Sequence, residues 1–255
     1  RDLINRKDID VVDVITPDHW HTIPALMAIK AGKDVICEKP LTLTVEEGRI
    51  LSDAAKKHGA IFQTASENRS IDTYIRICEL VRNKVIGDVK HVKVLLPEGN
   101  RHRHEADDTF GEPPASLNYE MWQGQAPVMP YCASRVHYDF RWNLTYSGGV
   151  LTDWGAHMLD LAQWGLGMQE TGPVEVEGTG EYPPKDAVWN APPKFDLHYT
   201  YANGVTLHCW AEAPGIKFEG TDGWIMFRGW RAPLTASDPA ILETELGDDA
   251  IRLHR

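Results

Sequence analysis

The chain has 255 residues, 42% hydrophobic and 25% charged, enough to bury one large core or two medium ones without covalent staples. Its formal charge of -11 excludes nucleic acid and an anionic membrane surface as partners, because both are gripped through clustered Lys and Arg, and no run approaches the roughly 20 apolar residues that span a bilayer. Cys37, Cys78, Cys132 and Cys209 are widely spaced with no CxxC pair, which argues against a zinc ribbon or disulfide framework and for a reducing, cytoplasmic setting; an export signal stays open because any leader would precede Arg1.

The first third predicts alternating strands and helices. Ile9 to Ile15 is a β-branched run closed by Thr16-Pro17, as expected of a parallel strand buried on both faces. A helix follows from His21 to Ala31, with Gly32 where a helix-ending glycine belongs. Asp34 to Cys37 is the second strand. Thr44 and Glu47 have the spacing of a capping box and open a helix that runs to about His58 before Gly59. Ala60 to Ala65 is the third strand, and Tyr74, Ile75, Cys78 and Val81 mark one face of a helix that closes toward Gly87. Alternation of this kind predicts right-handed βαβ units around a parallel sheet.

After residue 87 the pattern changes, so the sequence divides into a first domain at 1–87 and a second at 88–255. Asp88 to Leu96 predicts a strand, and a long polar stretch from Pro97 to Pro130 carries Trp122. Loops of that length in compact domains are usually functional. Tyr131 to Tyr146 is dense in rings and arginines, among them Arg135, Tyr138, Arg141 and Trp142. Such a segment serves either as the aromatic edge of a core or as a pocket wall, where rings stack on sugar faces and Arg and Tyr hydrogen-bond hydroxyls. Strands at Asp196 to Tyr201, Val205 to Ala211 and Trp224 to Phe227, with an Asn203-Gly204 hairpin turn, predict an α+β domain with an open antiparallel sheet.

Two stretches carry chemistry. In Cys37-Glu38-Lys39-Pro40 the proline holds Lys39 out of the helical region just beyond a strand end, the edge where parallel sheets bind ligands. In Gly148 to Asp160, a helix capped by Thr152 would put Asp153 and His157 one turn apart, with Asp160 and Trp164 on the same stripe. Asp and His so placed form a proton-transfer pair, a solvated surface pair or, with Asp160, part of a metal site; without a second His at ligand spacing no metal is assigned. His19 and His21, and His102 and His104, read as isolated polar residues rather than ligand pairs. No GxGxxG turn follows a strand: Gly165-Leu166-Gly167 comes after a helix, and Gly178-Thr179-Gly180 runs into Tyr182-Pro183-Pro184.

Thr16-Pro17 with His21, then Ala31-Gly32-Lys33, Glu38-Lys39-Pro40-Leu41, and Gly148-Gly149 with Asp153 and His157 occur in an order that resembles the Gfo/Idh/MocA oxidoreductases, over residues 10 to about 223. The resemblance implies an α/β chain: the C-terminal part of a Rossmann-type NAD(P)-binding sheet followed by a domain with an open antiparallel sheet, through which the protein would form homo-oligomers. It implies Lys39, Asp153 and His157 as the catalytic set. Thr16, Pro17, His21, Glu38, Lys39 and Pro40 would line the nicotinamide end of NAD or NADP with Trp122 nearby, and Arg135, Asp153 and His157 would meet the substrate, joined by Tyr138 and Arg141 as read from the ring-rich segment itself. The implied reaction is hydride transfer between the coenzyme and a sugar, polyol or related cyclic hydroxyl. A redox-neutral glycosidase on a retained NAD and a non-catalytic sugar or cofactor sensor are the alternatives. The missing glycine loop implies a fragment lacking roughly 70 to 80 preceding residues, which alone would bind the coenzyme poorly.

Overall fold

The computed structural model describes residues 2–99 and 108–253, so His102 and His104 lie outside the described residues. In chain order the elements are α1 (Asp2–Asn5), β1 (Val11–Val14), α2 (Thr22–Lys30), β2 (Asp34–Cys37), α3 (Val45–His58), β3 (Phe62–Thr64), α4 (Asp72–Arg82) and β4 (Val89–Pro97). There follow α5 (Tyr119–Gln123), α6 (Val150–Asp153), α7 (Gly155–Leu166), β5 (Glu175–Glu181), β6 (Lys194–Thr200), β7 (Thr206–Glu212), β8 (Gly215–Gly220), β9 (Trp224–Arg228), β10 (Thr235–Ala236) and α8 (Ala240–Glu243). The chain forms two compact units, each discontinuous in sequence: 1–66 with 100–153 and 183–191, and 67–99 with 154–182 and 192–255. The helix at 72–82, read from the sequence with the first domain, packs within the second unit.

In the first unit β1, β2 and β3 pair in parallel in that order, with Val11 opposite Asp34 and Val35 opposite Phe62. Val14, Ala25, Ala28, Ile29, Val35, Cys37 and Leu51 form its core. The capping box exists: Thr44 Oγ1 accepts from the Glu47 amide at 3.2 Å, and Glu47 Oε2 accepts from the Thr44 amide at 3.1 Å. Gly59 ends α3 at φ 64°, a left-handed turn that glycine enters without steric cost. β1 lies at one side of this sheet with alternating cover, Val14 buried and Val11 and Ile15 49% and 71% exposed.

The second unit is built on a seven-stranded sheet ordered β10-β9-β8-β4-β7-β6-β5. It is mixed, not purely antiparallel, because β4 and β7 run parallel, Val92 lying opposite Leu207. The open sheet expected from the sequence is present with its other strand pairs antiparallel, and the parallel pair is allowed by the crossover of more than a hundred residues that separates β4 from β7 in the chain. Leu207, Cys209, Ile216, Phe218, Ile225 and Phe227 are buried, as are Ile75, Cys78 and Leu80 of α4 and Met158, Leu161 and Ala162 of α7. α7 packs on α4, β4 and β8. It comes close to the sheet at Gly165, where a Cβ would sit 2.7 Å from Phe218 Cζ. The sequence does not predict β5, β8 or β10. β5 contains Gly178 and Gly180, which weaken a strand signal, yet seven residues of β5 pair with β6. The Asn203-Gly204 turn is present, Gly204 at φ 84° joining β6 to β7.

Candidate active site

β2 ends where its backbone is still held on both sides: the Glu38 amide donates to Val14 O at 3.0 Å, and Cys37 O accepts from Ala65 at 2.8 Å. The next residue, Lys39, leaves the sheet with its side chain 16% exposed. Its Nζ donates to Asp153 Oδ1 at 2.5 Å and to Asp153 O at 3.1 Å. Lys39 and Asp153 are 114 residues apart in the chain and meet within the first unit.

Asp153 is positioned by the Gly148-Gly149 turn. Gly149 has φ 70°, and a Cβ there would lie 2.7 Å from that of Ala191, so both conformation and space demand glycine. The Gly149 amide donates to Arg141 O, and Gly149 O accepts from the Asp153 amide, each at 3.0 Å. One turn therefore places both residues. Arg141 Nε lies 3.4 Å from Asp153 Oδ1, and its guanidinium stacks on Tyr138 at 4.6 Å from the ring centre. Burial pushes the Tyr138 phenol above its ordinary value, and the Asp153 charge adds to the rise. Lys39, Asp153, Arg141 and Tyr138 thus form one cluster, with a carboxylate held between two cations beside an aromatic ring.

Thr152 does not cap the helix as expected. The helical turn starts at Val150, and Thr152 Oγ1 donates to Gly149 O at 3.2 Å, while α7 begins afresh at Gly155. Asp160 is held by Arg69 through two bonds of 2.8 and 2.6 Å, and the same guanidinium lies 5.3 Å from the centre of the Trp164 ring, so Asp160 and Trp164 share a face of α7 as expected. His157 belongs to the second unit, 7% exposed, where its ring lies 5.4 Å from that of Trp230 and 6.3 Å from that of Trp154.

His19 and His21, expected to be isolated polar residues, are buried and bonded. His21 Nε2 lies 2.8 Å from Thr16 O and Nδ1 2.8 Å from Pro40 O, so one ring ties the end of β1 to the turn after β2. The Trp122 carbonyl meets His19 Nε2 at 2.8 Å and accepts from Trp20 Nε1 at 2.9 Å, while the Trp122 ring packs on His19 and Tyr146. Burial lowers the His19 pKa. Arg135 makes no recorded contact with the Lys39 cluster; it is 3% exposed, and its Nε and Nη1 have no hydrogen-bond partner among the described residues.

Sequence reasoning missed Asp18, which follows Thr16-Pro17 directly. It is 5% exposed, and Ser147 Oγ donates to its Oδ2 at 2.5 Å. Burial pushes this carboxyl above the usual range, opposed by the Ser147 bond and by His21 and Arg141, and reinforced by Asp153. The signal was its place after a strand-ending Thr-Pro, but an Asp there is also an ordinary turn residue. Burial together with Glu38 and Asp13 pushes the Cys37 thiol to about 12, so the nearby sulfur is not a nucleophile.

A coenzyme ring needs a flat apolar slot at the carboxyl ends of the strands. The first unit has a mostly apolar cleft of about 920 Å³ lined by Ile4, Thr16, Trp20, Ile23, Pro24, Met27 and Met121. The His21 ring links Thr16 of this cleft to Pro40, next to Lys39. The chain's glycines supply no pyrophosphate cradle after a strand.

Residues 1–66 match the model of an oxidoreductase family's NAD-binding Rossmann fold, and residues 103–241 match that of its C-terminal alpha/beta domain. The levoglucosan dehydrogenase of Pseudarthrobacter phenanthrenivorans is 36% identical over 167 residues, 66% of this chain and 35% of that enzyme. The NADP-dependent scyllo-inositol 2-dehydrogenase of Bacillus subtilis is 31% identical over 111 residues, 44% of this chain and 30% of that one. The matched segments thus span about a third of those relatives. Among solved structures, GenD2 from gentamicin A biosynthesis, in complex with NAD, superposes with a TM-score of 0.68 at 21% identity, covering 90% of this chain and 57% of that one, a likeness of fold.

Proposed function

Because the chain belongs to the Gfo/Idh/MocA oxidoreductase family, we propose that it serves NAD(P)-dependent hydride transfer at a hydroxyl-bearing carbon of a cyclic sugar or polyol. The observation that carries this reading is the contact of Lys39 Nζ with Asp153 Oδ1 at 2.5 Å, both side chains largely buried, at the end of a parallel strand. When bound, the nicotinamide supplies the hydride acceptor. The chain's residues handle the proton. Oxidation of an alcohol requires a base at the hydroxyl oxygen, and the reverse reaction an acid there. Lys39 is the group for that oxygen; Asp153 steers the ammonium and hydrogen-bonds a neighbouring hydroxyl. Arg141 braces Asp153, and the Tyr138 ring offers a face for the sugar.

The names of the two relatives quoted above, a levoglucosan and an inositol dehydrogenase, support this substrate class. The test is a panel of anhydrosugars, inositols, aldoses, uronates and glycosides beside straight-chain alcohols, with NAD and NADP, followed by absorbance of reduced coenzyme and by product chromatography. Coenzyme reduction with the cyclic polyols supports the dehydrogenase. Glycoside cleavage without net reduction moves the reading to the redox-neutral alternative, binding without turnover moves it to a sensor, and activity confined to aliphatic alcohols overturns it. Self-association through the exposed face of the mixed sheet completes the proposal. Among the described residues no helix is long and apolar enough to cross a membrane.

A further inference from the structure

The second unit carries a cluster of ligating side chains that takes no part in the reaction proposed above. β6 and β7 are antiparallel, and His198 lies directly opposite His208. Asp196, two residues before His198, projects from the same face of β6. His198 Nε2 lies 2.8 Å from Asp196 Oδ1, and His208 Nε2 lies 3.1 Å from both Asp196 oxygens. The two imidazoles stack at 4.3 Å with an interplanar angle of 7°, and the His208 ring in turn stacks on Trp210 at 4.4 Å. One ligand atom from each of the three residues falls within 4.8 Å of the others.

We propose that Asp196, His198 and His208 form a three-ligand site for a transition-metal dication, zinc first, on the exposed face of the mixed sheet. Zinc holds imidazole nitrogen and carboxylate oxygen about 2.1 Å away, so tetrahedral ligands stand on the order of 3.3 Å from one another. Rotation of the imidazoles out of their parallel stack, with widening of the 2.8 and 3.1 Å separations, admits the ion between the three ligands. Two imidazoles and one carboxylate suit zinc, copper(II) or nickel(II); magnesium and calcium prefer sets made wholly of oxygen. Three protein ligands leave a fourth position for water or for a group from another molecule. An ion held there staples β6 to β7, because its ligands come from both strands.

The experiment is calorimetric titration of zinc chloride into the full chain after treatment with chelator, beside His198→Asn, His208→Asn and the double variant. The expected result is one zinc per chain for the wild type. Each single variant binds at least about tenfold more weakly, the size of loss that even outer-shell changes produce at metal sites, and the double variant lacks the tight equivalent while magnesium chloride gives no binding. Circular dichroism and melting in metal-free buffer check that the variants fold, and Asp196→Asn repeats the test at an exposed position should either histidine variant unfold. X-ray absorption of the zinc-loaded wild type should show nitrogen and oxygen neighbours. No tight zinc in the wild type, full affinity in the double variant, or sulfur in the zinc shell overturns the proposal.

Discussion

At the scale of single residues the candidate site depends on one contact, and the substitutions that test it separate chemistry from scaffold. Lys39→Met keeps most of the stem while removing the proton-transfer group, so kcat should fall by about 10²-fold or more with the fold intact. Turnover near the wild-type value with the same pH profile would return Lys39 to an ordinary strand-end residue. Asp18 makes a pH prediction. Its folded pKa is raised, so the folded state holds its proton more tightly than the unfolded chain does. Stability from this group is therefore full below the unfolded value of about 3.9 and lost as pH rises through the higher folded value. Asp18→Asn, which can still accept from Ser147, should melt higher than the wild type at neutral pH, with the gap closing toward pH 4. Melting curves from acid to neutral check this, and a gap that widens on acidification defeats it. Lys39 and Asp153 stood out as candidates through motif and order, and Arg141 through the density of rings and arginines in its segment. Asp18 did not, because only burial distinguishes it from other turn aspartates.

At the scale of elements, the capping box at the start of α3 was readable in four letters because its bonds are local. Thr44→Ala removes the acceptor for the Glu47 amide and should cost about 1 kcal/mol by denaturant melting. The contact between Gly165 and Phe218 was not readable, since Gly165 precedes Phe218 by 53 positions and only packing joins them. Gly165→Ala gains roughly 1 kcal/mol of helix propensity, but its methyl meets a fully buried ring, and overpacking costs about 1–3 kcal/mol. The expected net effect is destabilisation, turning neutral or favourable in a Phe218→Leu background, where the ring is gone. A loss of equal size in both backgrounds would show that the ring is not the cause. The same limit explains why the break between α6 and α7 was missed: the segment has helical periodicity throughout, and Trp154 separates the two helices.

At the scale of the whole molecule, the exposed face of the mixed sheet carries Trp210 and Trp224 beside Lys93, Lys217 and Glu219, with Lys217 Nζ 4.6 Å from the centre of the Trp224 ring. If this face mediates self-association, Trp224→Glu should shift sedimentation equilibrium toward the single chain, whereas an unchanged mass would place any interface elsewhere. By itself the sequence determined the elements whose signals are local: the alternation of β1 to β3 with α2 and α3, the capping box, the Asn203-Gly204 turn and the order of motifs that marked the family. Periodicity, caps and turns are written within a few neighbouring residues, and so they survive reading in one dimension. Only the tertiary structure decided that β4 and β7 run parallel, that Asp160 answers to Arg69, that Lys39 meets Asp153 across 114 residues, and that Asp196, His198 and His208 converge. Those outcomes depend on which distant surfaces bury one another, and burial is a property of the folded chain that no short window of sequence contains.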